Sequence, residues 1–384
     1  MIITPRFTAI RNAWHAGYLF GQGQEGAILR PEPPYLFTDS ARTTLITAPG
    51  DPVGGATDLS GNGNHWAQPS DPDRPVYGIV PATGRRNLLE YTEEFDNAYW
   101  VKPTDSAIDR TYPDNGVRFT ADESFTSSST SMRPATSVRS PGVTDDNLIA
   151  GYSASLRASV KINAGYAYFG GKNGGGSRAF AVVIDSSGSV VTQHRASNVT
   201  INDFSVTPSN DDGWFDVFIA ATTTSSDNAA RTLAFGGSAS DNIATAVTGP
   251  FDVQCRFPQY ADGSEQIPYQ RVGNQFDVTE QGVRSLPVAH FNYTNHKIST
   301  DLPAGTYTIC IAGTNGSWFD EVEHAGGTFD LGPTTYTGGP ANLLEAMGLI
   351  LEVIPREGAL SDAEKARTLS YFESLGAAPG EVTL

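Results

Sequence analysis

The chain is expected to be all-β: two β-sandwich domains of jelly-roll or lectin-like type, with one helix near the C-terminus. Three observations predict this. Glycine (40) and proline (24) make up one residue in six of the 384, a composition of short strands joined by turns. Through Tyr152–Asn163 the apolar residues Ala154, Leu156, Ala158, Val160 and Ile162 alternate with polar ones, the period of a half-buried strand. Turn residues recur roughly every 8–12 positions across the middle of the chain without a helical period, as in two-sheet folds.

The elements follow in order. Residues 1–30 carry Trp14, His15, Tyr18, Leu19 and Phe20 ahead of a Gly/Gln run at 21–26. This suits an arm that docks on a neighbouring protein through Trp14, His15, Tyr18 and Phe20. An edge strand of the first sandwich or a frayed terminus is the alternative. Asp58–Trp66 (Asp-Leu-Ser-Gly-Asn-Gly-Asn-His-Trp) is a compact polar turn, because Gly and Asn reach positive φ at little cost. Arg178–Asp185 and Ser189–Thr192, separated by Ser186-Ser187-Gly188, predict a hairpin. Trp214–Ala221 and Phe251–Phe257 are further strands, and Val160, Val182, Ile184, Val217 and Ile219 are the expected core. Thr306–Gly313 and Gly348–Ile354 are rich in β-branched residues and read as strands buried on both faces. Asp362–Leu375 is the one convincing helix, with a Ser361-x-x-Glu364 capping box, Gly376 at its C-terminal end and an apolar face of Leu369, Phe372 and Leu375. Residues 377–384 are expected to be a loose tail.

Two groups of residues carry a resemblance. Tyr35–Thr44 (Tyr-Leu-Phe-Thr-Asp-Ser-Ala-Arg-Thr-Thr), Pro52-Val53-Gly54, Asp58–Trp66 and Arg74-Pro75-Val76-Tyr77 come in this order. The series resembles the concanavalin-A-like (laminin-G-type) sandwich segment of bacteriophage tail-fibre and related virion proteins. In that family a short FDGxDDxL run follows at once. Here the nearest counterpart is Ala289–Asp301, with Asn292, Tyr293 and Thr294 where Asp-Gly-x is expected. The resemblance therefore implies a sandwich built from residues 31–86 plus 281–376 and split by an insert. The insert opens with Asn87-Leu88-Leu89-Glu90-Tyr91 through Asn97-Ala98-Tyr99-Trp100 and closes with Ile267–Val272 (Ile-Pro-Tyr-Gln-Arg-Val). Both ends are similar to a jelly-roll, carbohydrate-binding-module-like domain of phage fibres, here 87–280.

The resemblance implies a non-catalytic virion projection: a tail fibre or head spike of a tailed phage or gene transfer agent, exposed on the particle surface. It would attach to host cell-surface polysaccharide, contact other virion proteins, and act as a homo-oligomer, trimeric in a fibre or pentameric in a vertex spike. A structural adaptor that anchors another receptor-binding protein, and a capsule depolymerase, stay open as alternatives.

Charge and motifs bound the chemistry. Twenty-five basic against 42 acidic residues give a net charge of −17, which opposes extended contact with nucleic-acid phosphates. No run approaches the length of apolar residues that spans a membrane, and Met1–Arg6 lacks the features of a signal peptide, so export by that route is not expected. Cys255 and Cys310 read as reduced buried thiols, with a single bridge as the alternative. There is no Gly-x-Ser-x-Gly elbow, and His290 and His296 do not have metal-ligand spacing. The adjacent acids at 122–123, 145–146, 211–212 and 320–321 are expected to be solvated, so no catalytic residues and no cofactor are assigned. A structural Ca²⁺, which jelly-roll sugar modules often carry, is the exception the resemblance allows. Sugar binding needs aromatic planes beside planar polar groups. The candidates are Tyr166, Tyr168, Asn173 and Arg178 around a Gly-rich loop, with Tyr99, Trp100 and Trp214. For the two tryptophans, core packing is the competing reading.

Overall fold

The computed structural model describes residues 15–21, 23–83, 87, 89–98, 100, 108–123, 153–172, 178–195, 199–223, 232–239, 241, 249–292, 295–332, 349–380 and 382. In chain order the strands are β1 (Leu36–Phe37), β2 (Gly55–Ala56), β3 (Trp66–Ala67), β4 (Val76–Pro81), β5 (Asp109–Thr111), β6 (Gly116–Ala121), β7 (Ser153–Ala164), β8 (Tyr166–Lys172), β9 (Arg178–Ile184), β10 (Val190–Arg195), β11 (Val199–Pro208), β12 (Trp214–Thr223), β13 (Thr232–Ser238), β14 (Phe251–Asp262), β15 (Gln270–Val272), β16 (Val278–Glu280), β17 (Ser285–His290), β18 (Ile298–Gly313), β19 (Gly316–Leu331) and β20 (Ile350–Glu357). Helix α1 is Asp362–Leu375. The fold is all-β with antiparallel sheets and this one C-terminal α-helix among the described residues. Residue contacts divide the chain into two units, Met1–Gly84 with Ser285–Leu384, and Arg85–Arg284.

The two-piece unit is one sheet in the order β1-β2-β3-β18-β20-β17-β4, with β19 hairpinned onto β18. Its two pieces are joined by backbone hydrogen bonds: β17 pairs with β4 from Ser285↔Pro81 to His290↔Val76, and β3 meets β18 at Ser299. Alternation along β18 and β20 feeds two cores. Ile309, Ile311 and Val353 face Trp66, Trp318 and Phe329. Cys310, Ala312 and Ile354 face Leu19, Phe20, Tyr371 and Phe372 on the opposite side. In β18 the residues lining the first core switch from Ile298 and Leu302 to Tyr307, Ile309 and Ile311. This change of parity across Pro303–Thr306 lets both halves of one long strand serve one core. Within Ala289–Asp301, residues 289–290 end β17 and residues 298–301 begin β18. Between them the Asn292 side chain accepts from the backbone N–H of Asn295 and of His296.

Helix α1 matches its signals. Ser361 Oγ accepts from Glu364 N–H, Glu364 accepts from Ser361 N–H at 2.8 Å, and Gly376 is left-handed. Its buried residues are Thr368, Tyr371 and Phe372. Leu369, expected on this face, is only partly buried. The described residues of the expected tail are not loose: Ala377 is buried, Gly380 accepts from Ser317 N–H, and Val382 N–H donates to Ser317.

Residues 26–29 add a short edge to β20. Ala27 N–H donates to Pro355 at 3.0 Å, and Leu29 and Val353 exchange bonds at 2.9 Å. A Cβ on Gly26 would lie 2.0 Å from the Pro355 carbonyl oxygen, so only glycine fits. The Asp58–Trp66 turn clasps this segment. Asp58 accepts at Oδ1 from Ile28 N–H and Ser60 N–H, and at Oδ2 from Ser60 Oγ and Asn64 N–H. Asn62 and Asn64 both donate to the Gly26 carbonyl. A second buried carboxylate, Glu352 of β20, accepts at Oε2 from Arg30 Nε (2.6 Å) and Tyr371 OH (3.0 Å). Burial pushes Glu352 up to about 7 against the pull of Arg30.

The N-terminal docking residues divide. Phe20 is buried beside Ala16 and Leu19 in the unit's own core, so it is not available to a neighbour. His15 caps the 3-10 turn Ala16–Phe20 and stacks on half-exposed Tyr18 at 4.3 Å. Trp14 lies outside the described residues.

The continuous unit, Arg85–Arg284, is a sandwich. A four-stranded sheet (β10-β9-β8-β13) and a six-stranded sheet (β11-β12-β7-β14-β6-β5) enclose one core, with β15-β16 as a separate hairpin. Leu156, Val160, Val217, Ile219 and Val253 enter the core from the large sheet, and Phe169, Phe180, Val182, Ile184 and Phe235 from the small one. All five expected core residues are fully buried here. Burying side chains of this size stabilises by about 2 kcal/mol each. Cys255 is buried and unbonded in this unit, as Cys310 is in the other.

The unit's two ends are held by buried amides. Asn87 N–H donates to Gln270 Oε1 at 2.7 Å, its side chain donates to the Gln270 carbonyl, and its Oδ1 accepts from Tyr260 N–H. Gln270 also donates to its neighbourhood: its N–H reaches Gln259 Oε1 at 2.9 Å, and its Nε2 donates to Glu280. Asn87, Gln259, Gln270 and Glu280 thus bond to one another's side chains or backbone, as burial requires.

Candidate functional site

The six-stranded sheet turns alternate residues of β7 away from the core. Arg157, Ser159 and Lys161 lie on that outer face, opposite Leu156, Val160 and Ile162. Register places Asp216 of β12 and Arg256 of β14 on either side of Ser159. Side chains close this row: Ser159 Oγ donates to Asp216 at 2.5 Å, and Arg157 lies 3.7 Å from the other Asp216 oxygen.

A bulge shapes the next part. The pairing of β14 with β7 slips between Arg256 and Gln259, and Phe257 takes φ +55°. A bulky residue in that region is strained, and bulges re-aim side chains. Here the result is a stacked wall. The Arg256 guanidinium lies 3.9 Å from the Trp214 ring centroid and 4.7 Å from that of Phe257. Phe257 in turn packs against Tyr269 at 4.9 Å. Arg256 pairs with Asp211 in the turn before β12. Tyr269 OH is hydrogen-bonded to the hydroxyl of Thr92 (2.9 Å) and to Glu93 (3.3 Å), and burial raises its pKa.

Glu93, Arg157, Ser159, Asp211, Asp216, Arg256, Phe257 and Tyr269 line a cleft of about 780 Å³, completed by Ser209, Asn210, Pro268, Arg271, Thr279, Glu280 and Gln281. That volume is in the range of small-ligand sites. It offers planar guanidinium and carboxylate groups next to ring faces. Those groups can donate to and accept from hydroxyls while apolar C–H surface stacks alongside. Among the described residues, no three of His, Cys, Asp and Glu converge as metal ligands.

Of the seven glycan-binding candidates none lines the cleft; Trp214 stands behind it, stacked on the lining residue Arg256. Trp100 is in the sandwich core, 4.8 Å from Phe95 and 5.9 Å from Phe235, with its Nε1–H donated to Tyr91. It cannot serve as a sugar platform. Tyr168 is likewise buried, packed with Ala181 and Val183 on the second face of the small sheet, with Tyr166 partly buried beside it. The Tyr-x-Tyr strand is thus not an open platform at Tyr168. Tyr99, Asn173 and the Arg178 side chain lie outside the described residues. Arg157, Asp216, Arg256 and Tyr269 were not legible as site residues. Only Tyr269 had a local signal, as part of the closing run at 267–272.

No protein-family model and no curated protein matches the chain. Among solved structures, a chain in the tripod (BppUct-A-L) from the baseplate of bacteriophage Tuc2009 is similar at 9% identity. The TM-score is 0.26, over 75% of this chain and 99% of that one. A likeness this shallow carries no argument about what the chain does.

Proposed function

We propose that this is a non-catalytic attachment protein of a phage or phage-like particle, whose Arg85–Arg284 unit holds host cell-surface polysaccharide in the outer-face cleft. The observation that carries the reading is the cleft itself: the Arg157–Asp216–Ser159 row beside the Trp214–Arg256–Phe257–Tyr269 wall. The virion setting rests on the residue-level resemblance of segments 35–77 and of both ends of the inserted unit to phage fibre and spike proteins. Display as a homo-oligomer on the particle surface would multiply weak single contacts through effective concentration.

The test is an array of bacterial surface polysaccharides probed with the full chain and with Arg157→Ala. The wild type is expected to bind a subset that the variant loses by about tenfold or more, the effect of removing one charge-assisted contact. Binding to no polysaccharide by folded protein would overturn the reading and leave the adaptor role.

One observation keeps depolymerisation as a second reading: Glu93, Asp211, Asp216 and Glu280 all line the cleft. Each of them is bonded to a neighbouring side chain and holds the walls together. Incubation with a bound polysaccharide is expected to release no new reducing ends; their appearance would establish the enzyme.

A further inference from the structure

We infer that the cleft is built for uncharged polysaccharide and excludes uronate- or phosphate-bearing chains. This inference rests on the attachment reading and narrows it to a ligand class. The three arginines lining the cleft each have a carboxylate of this chain already in place: Arg157 with Asp216, Arg256 with Asp211, and Arg271 with Asp277 at 3.3 Å. An arriving anion would therefore meet no cationic group without a partner among the described lining residues. It would also meet the Glu93 and Glu280 carboxylates that share the cleft and the field of a chain with net charge −17. A neutral sugar meets something different. Each arginine–carboxylate pair presents a fixed donor next to a fixed acceptor, the arrangement that suits two neighbouring hydroxyls. The Arg256 and Asp216 groups of two of these pairs stay in position because their supports are internal. Trp214 and Phe257 flank the Arg256 guanidinium, and Ser159 donates to Asp216. Pre-formed polar groups of this kind lose little freedom on binding.

Removing the carboxylates while keeping the arginines makes the test a gain of function. In D211N/D216N two guanidinium groups lose their charged partners, and the cleft becomes two units more positive. The wild type and this variant are titrated with the array's neutral polysaccharides and with polygalacturonate as the anionic probe. Near-UV circular dichroism checks the fold, and Asp277→Asn serves as a second variant that opens the third pair. The wild type is expected to bind only neutral polysaccharides, with affinity little changed between about 50 and 500 mM salt. The variants should gain about tenfold or more in affinity for polygalacturonate, reversed by salt. A wild type that prefers uronate-bearing chains would overturn the inference and leave the attachment reading standing. So would the absence of any gain in folded D211N/D216N and D277N. Failure of the wild type to bind any member of the array would overturn the attachment reading and this inference with it.

Discussion

Two buried carboxylates hold the same edge segment of the two-piece unit, and they do so in different ways. Asp58 is surrounded by donors: both of its oxygens are occupied, three of the four bonds come from backbone N–H groups, and the turn that supplies most of them is its own. Glu352 accepts from Arg30 and Tyr371 through one oxygen, and its Oε1 receives no hydrogen bond from the described residues. Glu352 is the more deeply buried of the two and has the fewer donors. Each bond replaces part of the hydration lost on burial, so Glu352 keeps the larger uncompensated cost. The Asp58–Trp66 turn is thereby a fitted clasp, whereas the Glu352 pair is a stressed one.

The largest expected effect comes from breaking the stressed pair outright. Glu352→Ala leaves Arg30 without its charge partner and opens a hole under α1, and should destabilise the unit by about 4 kcal/mol. Chemical denaturation followed by hydrogen exchange at residues 26–30 and 351–354 measures this. Loss of protection confined to the chain termini would show that the pair holds nothing.

The pH dependence sharpens the comparison. Glu352 is raised from its ordinary value of 4.5 to about 7. The fold therefore binds a proton that the unfolded chain has lost in that interval. Stability from this group is full below about pH 4.5 and is lost as pH rises through 7, by about 3 kcal/mol at the upper end. The segment at 26–30 should thus exchange faster at pH 8 than at pH 5 after correction for intrinsic rates, and Glu352→Gln should flatten the difference. An unaltered pH slope in that variant would remove Glu352 as its source.

Two smaller effects complete the set. Asp58→Asn keeps the shape of the clasp and turns one acceptor into a donor facing Asn64 N–H, for about 2 kcal/mol measured by the same exchange experiment. Tyr371→Phe removes one donor from Glu352 and should destabilise by about 1 kcal/mol. It should also move the pH transition upward, because the lost hydrogen bond favours the charged form. A downward move would contradict the donor-count explanation.

The sequence disclosed the elements that follow one local rule. Strand β7 shows in the alternation of Ala154 through Ile162, and α1 in its capping box and Gly376. Elements that change rule part-way were seen in part. β18 was legible only from Thr306 onward, because Pro303-Ala304-Gly305 interrupts the apolar pattern where the inward side switches. β14 was legible only up to Phe257, because the bulge that follows breaks its period. The cleft was hidden for a different reason. Its residues come from five separated segments, around 93, 157–159, 209–216, 256–257 and 268–281, and only register and a bulge assemble them. Aromatic content pointed instead to Trp100 and Tyr168, which the sandwich uses for packing.

The most direct test of the cleft as the attachment site is hydrogen–deuterium exchange of the full chain with and without a polysaccharide taken from the array. The arrangement described here predicts slowed exchange at residues 157–159, 209–216, 256–257 and 268–281. Protection confined to 166–172 and 178–184, with the cleft strands unchanged, would contradict it and put the sugar on the small sheet.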